Sequence, residues 1–213
     1  MIIALSISTF LRLEHDDSLE MTEFQRLGLL PEILQGLSAK GFVKPTPVQR
    51  TVIPRIMNKE NMVMAASTGS GKTFAFTLPV IQSLINQESA GYSRTVKRPR
   101  ALILVPTREL ARQILSTIKD ISHFAKVSSA CVLGGEPYAN QKKSLDRMVD
   151  IVVASPGRLM QHKDQVQNIR SCTIFICLMT LSKIGMNYRM ILHLLQLYTG
   201  KCIFRSRYPC HNR

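Results

Sequence analysis

Residues 68–73 read Thr68-Gly69-Ser70-Gly71-Lys72-Thr73, and their types and order suit one piece of chemistry, the holding of a phosphate chain. Gly69 and Gly71 let successive backbone N–H groups turn inward on phosphate oxygens. Lys72 reaches the terminal phosphates as a point charge, and the Thr73 hydroxyl can ligate a Mg²⁺ carried by the nucleotide. A helix starting here adds its unpaired N–H groups to the same anion. The first glycine of the strict phosphate-loop pattern is replaced by Ala66, so the loop is a variant. An ordinary Gly/Ser turn is the plainer alternative, and Gly-Lys-Thr at a strand-to-helix junction weighs against it.

Such a loop needs a strand before it and a helix after it. The apolar run 62–66 reads as the strand, and residues 73–86 as an amphipathic helix that Pro79 should kink or shorten. Upstream, Leu27, Leu30, Ile33, Leu34 and Leu37 fall at helical spacing over residues 24–37, with Pro31 suited to a first turn. A second short helix follows the turn 41–49 and runs through Val52, Ile53 and Ile56. In that turn the Gln49 amide is able to pair with an adenine edge, Pro45 and Pro47 stiffen the backbone that aims it, and Phe24 could stack on the same base. Taken singly, Gln49 would pass for a solvated polar residue.

Downstream, strand, loop and helix alternate. Residues 101–105 form a wholly apolar strand, followed by Pro106-Thr107-Arg108, with Thr107 as N-cap of a helix whose core face holds Leu110, Ile114 and Ile118. A strand over 128–133 ends in Gly134-Gly135, and a polar helix spans 138–148. A strand over 150–154 leads into Ser155-Pro156-Gly157-Arg158, where Ser155 is placed to cap and Pro156 to take the first helical position. Residues 172–178 have the composition of a fifth strand. The alternation predicts an α/β fold, a doubly wound parallel sheet with ligands gathered outside the carboxyl ends of its strands.

Phe24, the Gly-Phe-Val-Lys-Pro-Thr-Pro-Val-Gln turn and Ala-Ser-Thr-Gly-Ser-Gly-Lys-Thr at 66–73 together resemble the Q motif and motif I of DEAD-box RNA helicases. That resemblance implies a RecA-like domain using ATP and Mg²⁺, with the glutamine selecting adenine and the upstream aromatic packing over the base. Ala66 is what the family uses. Pro106, Thr107 and Arg108 resemble motif Ia, Gly134 and Gly135 the GG motif, and Ser155 to Arg158 motif Ib with Ser155 for the usual Thr. Those motifs imply contacts to the RNA backbone, independent of sequence.

The resemblance covers residues 24–159 and stops soon after. The family has Asp-Glu-Ala-Asp after its fifth strand, where the chain reads Met179-Thr180-Leu181-Ser182, and no Asp or Glu occurs after Asp164. Residues 165–213 carry seven Lys and Arg, against 21 Lys and Arg and 14 Asp and Glu before them. The expected organisation is therefore an extension over 1–22, a partial RecA-like domain over 23–164, and an acid-free tail over 165–213 from a splice variant, a frameshifted gene model or a truncation. Such a chain should bind nucleotide and RNA but not hydrolyse ATP, or act as a non-catalytic RNA-binding regulator. A different phosphate-loop enzyme, such as a small kinase, would need an acidic Mg²⁺ ligand that the sequence lacks.

The formal charge of +14 favours nucleic acid as partner over membrane, and no apolar run reaches the length of a membrane span. Four of the five cysteines lie in the tail at spacings unsuited to zinc, so free thiols in an intracellular compartment are expected.

Overall fold

The computed structural model of the chain describes residues 22–60, 62–162 and 174–177. Its elements, in order, are α1 (Glu23–Arg26), α2 (Pro31–Ala39), α3 (Pro47–Met57), α4 (Lys72–Ser89), β1 (Ala101–Leu104), α5 (Arg108–Ala125), β2 (Ser129–Val132), α6 (Tyr138–Leu145), β3 (Ile151–Ala154), α7 (Pro156–Gln161) and β4 (Ile174–Cys177). The four strands pair in parallel in the order β2-β3-β1-β4. Parallel strands need crossovers, and α5, α6 and α7 lie in those connections.

Period-two alternation divides the strand side chains between two apolar layers. Ala101, Ile103, Ile151 and Val153 pack with α2, α4 and α5 through residues such as Ile33, Leu78, Ile81, Ile114 and Ile118. Leu102, Leu104, Val152 and Ala154 pack on the opposite face with Val132, Leu145 and Leu159. The sheet is thus buried on both faces, as the apolar strand sequences require.

Three sequence expectations change. The single helix over 24–37 is two, because Gly28 adopts φ +77° and Pro31 restarts the chain at the first turn of α2. The run 62–66 forms no strand and pairs with none of the described strands. Val63 stands 87% exposed there. Pro79 does not shorten α4, which runs 18 residues with Pro79 buried inside it. In the sequence, Tyr188, Ile191, Leu194, Leu195 and Tyr198 fall at helical spacing, and residues 188–198 lie outside the described residues.

A buried ion pair fixes the amino ends of the strands. Arg100, just before β1, donates from Nε and Nη2 to Asp150 Oδ1 at 3.1 and 2.6 Å, and Asp150 immediately precedes β3. The second carboxylate oxygen accepts the Ser128 amide at 2.9 Å, just before β2. Glu88 near the end of α4 also pairs with Arg100. Replacing Asp150 by Ala removes a buried carboxylate partner of the Arg100 guanidinium, and should cost about 3 kcal/mol. Urea denaturation of the two proteins measures this, and a loss below about 1 kcal/mol would mean that the pair does not hold the sheet.

Candidate nucleotide site and adjoining arginine loops

Gly69 and Gly71 both take positive φ, +77° and +86°, which bends residues 68–71 back toward the chain before α4 begins. Lys72 turns into this bend, its Nζ donating to the Ala66 carbonyl at 2.7 Å and to the Ser67 carbonyl. Ser70 Oγ closes the loop on Ser67 O at 2.8 Å. The ammonium thus sits inside its own loop, so phosphate oxygens would replace carbonyls as its partners. Thr68 and Gly69 are exposed and Thr73 is half-buried at the start of α4. The donor set fits a phosphate chain.

The preceding turn is clasped to the far end of the loop. Gln49 Nε2 donates to Gly71 O at 3.1 Å, its Oε1 accepts the Thr46 amide at 3.0 Å, and Thr46 Oγ1 donates to Ser70 O at 2.9 Å. A Cβ at Gly71 would lie 2.6 Å from Gln49 Nε2 and 2.9 Å from Thr46 Oγ1. Gly71 therefore serves the close approach as well as the positive φ. The amide expected to be open to adenine is 4% exposed and engaged at both ends, with one N–H and one lone pair left.

Phe24, expected to stack on the base, is 3% exposed and packs in the apolar core. The capping box of Thr22 and Gln25 starts α1 so that this ring points inward. The ring left open beside the loop is Phe42, 44% exposed and edge-to-face with Phe74 at 4.8 Å. Sequence reasoning missed it, although an aromatic inside the Pro-rich turn was the available signal.

The remaining motif loops gather at the carboxyl ends of β1, β2 and β3. Pro106 is half-buried, and Thr107 caps α5 as expected, accepting from Leu110 N at 3.3 Å. Arg108 is exposed and lies over Gly135, where an added Cβ would come within 2.6 Å of the guanidinium carbon. Gly134 precedes it, and Gly135 has φ +81°. Ser155 occupies the N-cap position of α7 but its side chain makes no cap bond, so Pro156 alone suits this end to a helix start. Gly157 is exposed. Arg158 donates to Leu133 O at 3.2 Å and to Glu136 O at 2.8 Å. Two further residues join these loops unannounced by the sequence: Gln141 Nε2 donates to Leu133 O at 2.7 Å, and its Oε1 meets His162 Nε2 at 3.2 Å. His162 stacks on Tyr138 with ring centroids 4.0 Å apart.

The described residues contain no cluster of three His, Cys, Asp or Glu able to hold a metal ion. Burial pushes the Cys131 thiol in β2 up to about 11. No described helix is long and apolar enough to cross a membrane.

A phosphate loop opening a helix, set against a parallel sheet with its motif loops on one edge, defines a RecA-like α/β domain. The chain belongs to the DEAD/DEAH box helicase family, whose model matches residues 46–177. That match runs past Asp164 and takes in β4. The chain is 40% identical over 144 residues to DEAD-box ATP-dependent RNA helicase 39 of Arabidopsis thaliana, covering 67% of this chain and 23% of that protein. It is 36% identical over 159 residues to the ATP-dependent RNA helicase SrmB of Haemophilus influenzae, covering 74% of this chain and 35% of that one. The crystal structure of a hypothetical ATP-dependent RNA helicase from Sulfolobus tokodaii superimposes with a TM-score of 0.68 at 34% identity, over 79% of this chain and 47% of that one. The chain thus spans about an eighth to a third of the length of the curated relatives it matches.

Burial, and then the Arg158 charge, lower the His162 pKa below its ordinary 6.5. The folded state therefore binds fewer protons than the unfolded one, so the contribution of His162 to stability is complete above pH 6.5 and is lost as pH falls through the folded value. An NMR titration of the ring should give a midpoint below 6.5, and one at or above it would contradict this packing.

Proposed function

We propose that this chain is the nucleotide-holding and RNA-backbone-binding part of a DEAD-box ATP-dependent RNA helicase, and that by itself it holds ATP without hydrolysing it. The observation that carries the reading is the clasp of Gln49 and Thr46 on Ser70 and Gly71, which joins the turn facing the base to the loop facing the phosphates. On binding, Lys72 exchanges the Ala66 and Ser67 carbonyls for phosphate oxygens, and the N–H groups of residues 69–73 take the remainder. Phe42 supplies the stacking face for adenine, and Gln49 reads its edge with the N–H and lone pair that the clasp leaves over.

Mg²⁺, when bound with the nucleotide, would withdraw charge from the phosphates, and Thr73 is the residue placed to meet it. Placing an attacking water needs a carboxylate near the phosphates. Asp150 lies at the amino ends of the strands, paired with Arg100, and no acid follows Asp164. Inactivity in hydrolysis follows. RNA would be held along its backbone by the loops bearing Thr107, Arg108, Gly134, Gly135 and Gly157, and the basic balance of residues 165–213 also favours a non-catalytic chain that occupies RNA. ATP and RNA as ligands imply an intracellular setting.

Base–aromatic stacking amounts to about 1–3 kcal/mol, so Phe42→Ala should weaken binding of a fluorescent ATP analogue about tenfold or more. Phe24→Leu, a core exchange, should leave that affinity within about twofold while lowering the unfolding midpoint. The opposite ranking in an equilibrium titration would return the stacking role to Phe24.

A further inference from the structure

The geometry points to Gln141 and Arg158 as positioning residues that clamp the Leu133 carbonyl and so set the loop 134–136 for the RNA backbone, leaving Arg108 as the arginine that meets phosphate. The inference rests on the RNA-binding reading above and reverses what the sequence suggests for Arg158.

Leu133 directly follows β2 and is fully buried, and its carbonyl accepts two hydrogen bonds from different helices, Gln141 on α6 at 2.7 Å and Arg158 on α7 at 3.2 Å. Both lone pairs are therefore in use. The same guanidinium reaches the other side of the turn, donating from Nη2 to Glu136 O at 2.8 Å. Nε and Nη2 form one edge of the planar fork, an edge that could otherwise grip a phosphate in bidentate fashion. Here that edge bridges Leu133 and Glu136 and fixes the two glycines between them.

Gln141 is 4% exposed, with its amide nitrogen on Leu133 and its oxygen on His162, which is itself buried and stacked on Tyr138. A buried amide with both ends partnered locates what it holds. Arg108 differs on every count. It is exposed, makes no hydrogen bond or ion pair among the described residues, and rests on Gly135 where only the missing Cβ admits it. The neighbouring Glu136 carboxylate is already paired with Arg112 at 3.2 Å. The clamp thus sets the surface on which Arg108 lies, and Arg108 carries the open charge.

The test uses the full chain, a labelled single-stranded oligouridine, and binding by anisotropy over a range of KCl concentrations. Each phosphate contact in a single strand contributes about 0.7 to the slope of log K against log salt, so Arg108→Gln should flatten the slope by about that amount. Arg158→Lys, which keeps the charge but loses the fork, and Gln141→Leu should each weaken binding about tenfold at the wild-type slope. Both should also raise hydrogen exchange at residues 134–136. Wild-type affinity in Arg158→Lys, or a slope flattened by Arg158→Gln as it is by Arg108→Gln, would make Arg158 a phosphate contact and overturn the proposal. Unchanged exchange at 134–136 in both clamp variants would overturn it as well. If the wild-type chain retains no oligouridine, the RNA-binding reading fails, and the exchange measurement still decides the clamp.

Discussion

Everything that the chain presents at the carboxyl edge of its sheet depends on a carboxylate at the other edge. Asp150 takes the Arg100 guanidinium on one oxygen and the Ser128 amide on the other, so one side chain aligns the starts of β1, β2 and β3. Register in such a sheet admits no partial error, since a slip of one residue would exchange the two apolar layers. Ala101 stands opposite Ile151, and Ser129 opposite Ile151 on the other side, in keeping with that alignment. With the starts fixed and the strands each four residues long, the loops after Leu104, Val132 and Ala154 emerge side by side. The ion pair is costly to bury and costlier to break, which makes it a specifier of arrangement more than a source of net stability.

The phosphate loop is held differently. Residues 62–66 form no ladder with the described strands, so the loop takes its position from α4 behind it and from the Gln49 and Thr46 clasp in front. The turn 41–49 and the loop 68–71 are joined through the Gly71 and Ser70 carbonyls. After β4 the sequence reads Met179-Thr180-Leu181-Ser182, so in the function proposed above this clasped piece holds nucleotide without a carboxylate to direct a water at it.

Much of this was legible in the sequence because its signals are local. Gly69, Gly71 and Lys72 suggest a phosphate loop by type and order, Thr107 announces a cap, and three of the four described strands declare themselves by unbroken apolar runs. The misreadings concern choices among partners. Nothing in the spacing says that Gln49 turns to Gly71, that Arg158 turns to Leu133 and Glu136, or that Ser155 leaves its cap unmade. Phe24 is buried and Phe42 exposed because burial is decided by the whole core, and the run 62–66 misses being a strand because a strand exists only through its neighbours. Gln141 and His162 were invisible for the same reason: a buried polar pair is defined by what closes over it.

The central claim is that the loop holds ATP and leaves it intact. Its most direct measurement incubates the full chain with γ-labelled ATP, Mg²⁺ and excess single-stranded RNA, and follows labelled phosphate release beside the fraction of ATP bound. The account predicts binding that is lost in Lys72→Ala and phosphate release no faster than in buffer. RNA-stimulated release that disappears in Lys72→Ala would contradict it.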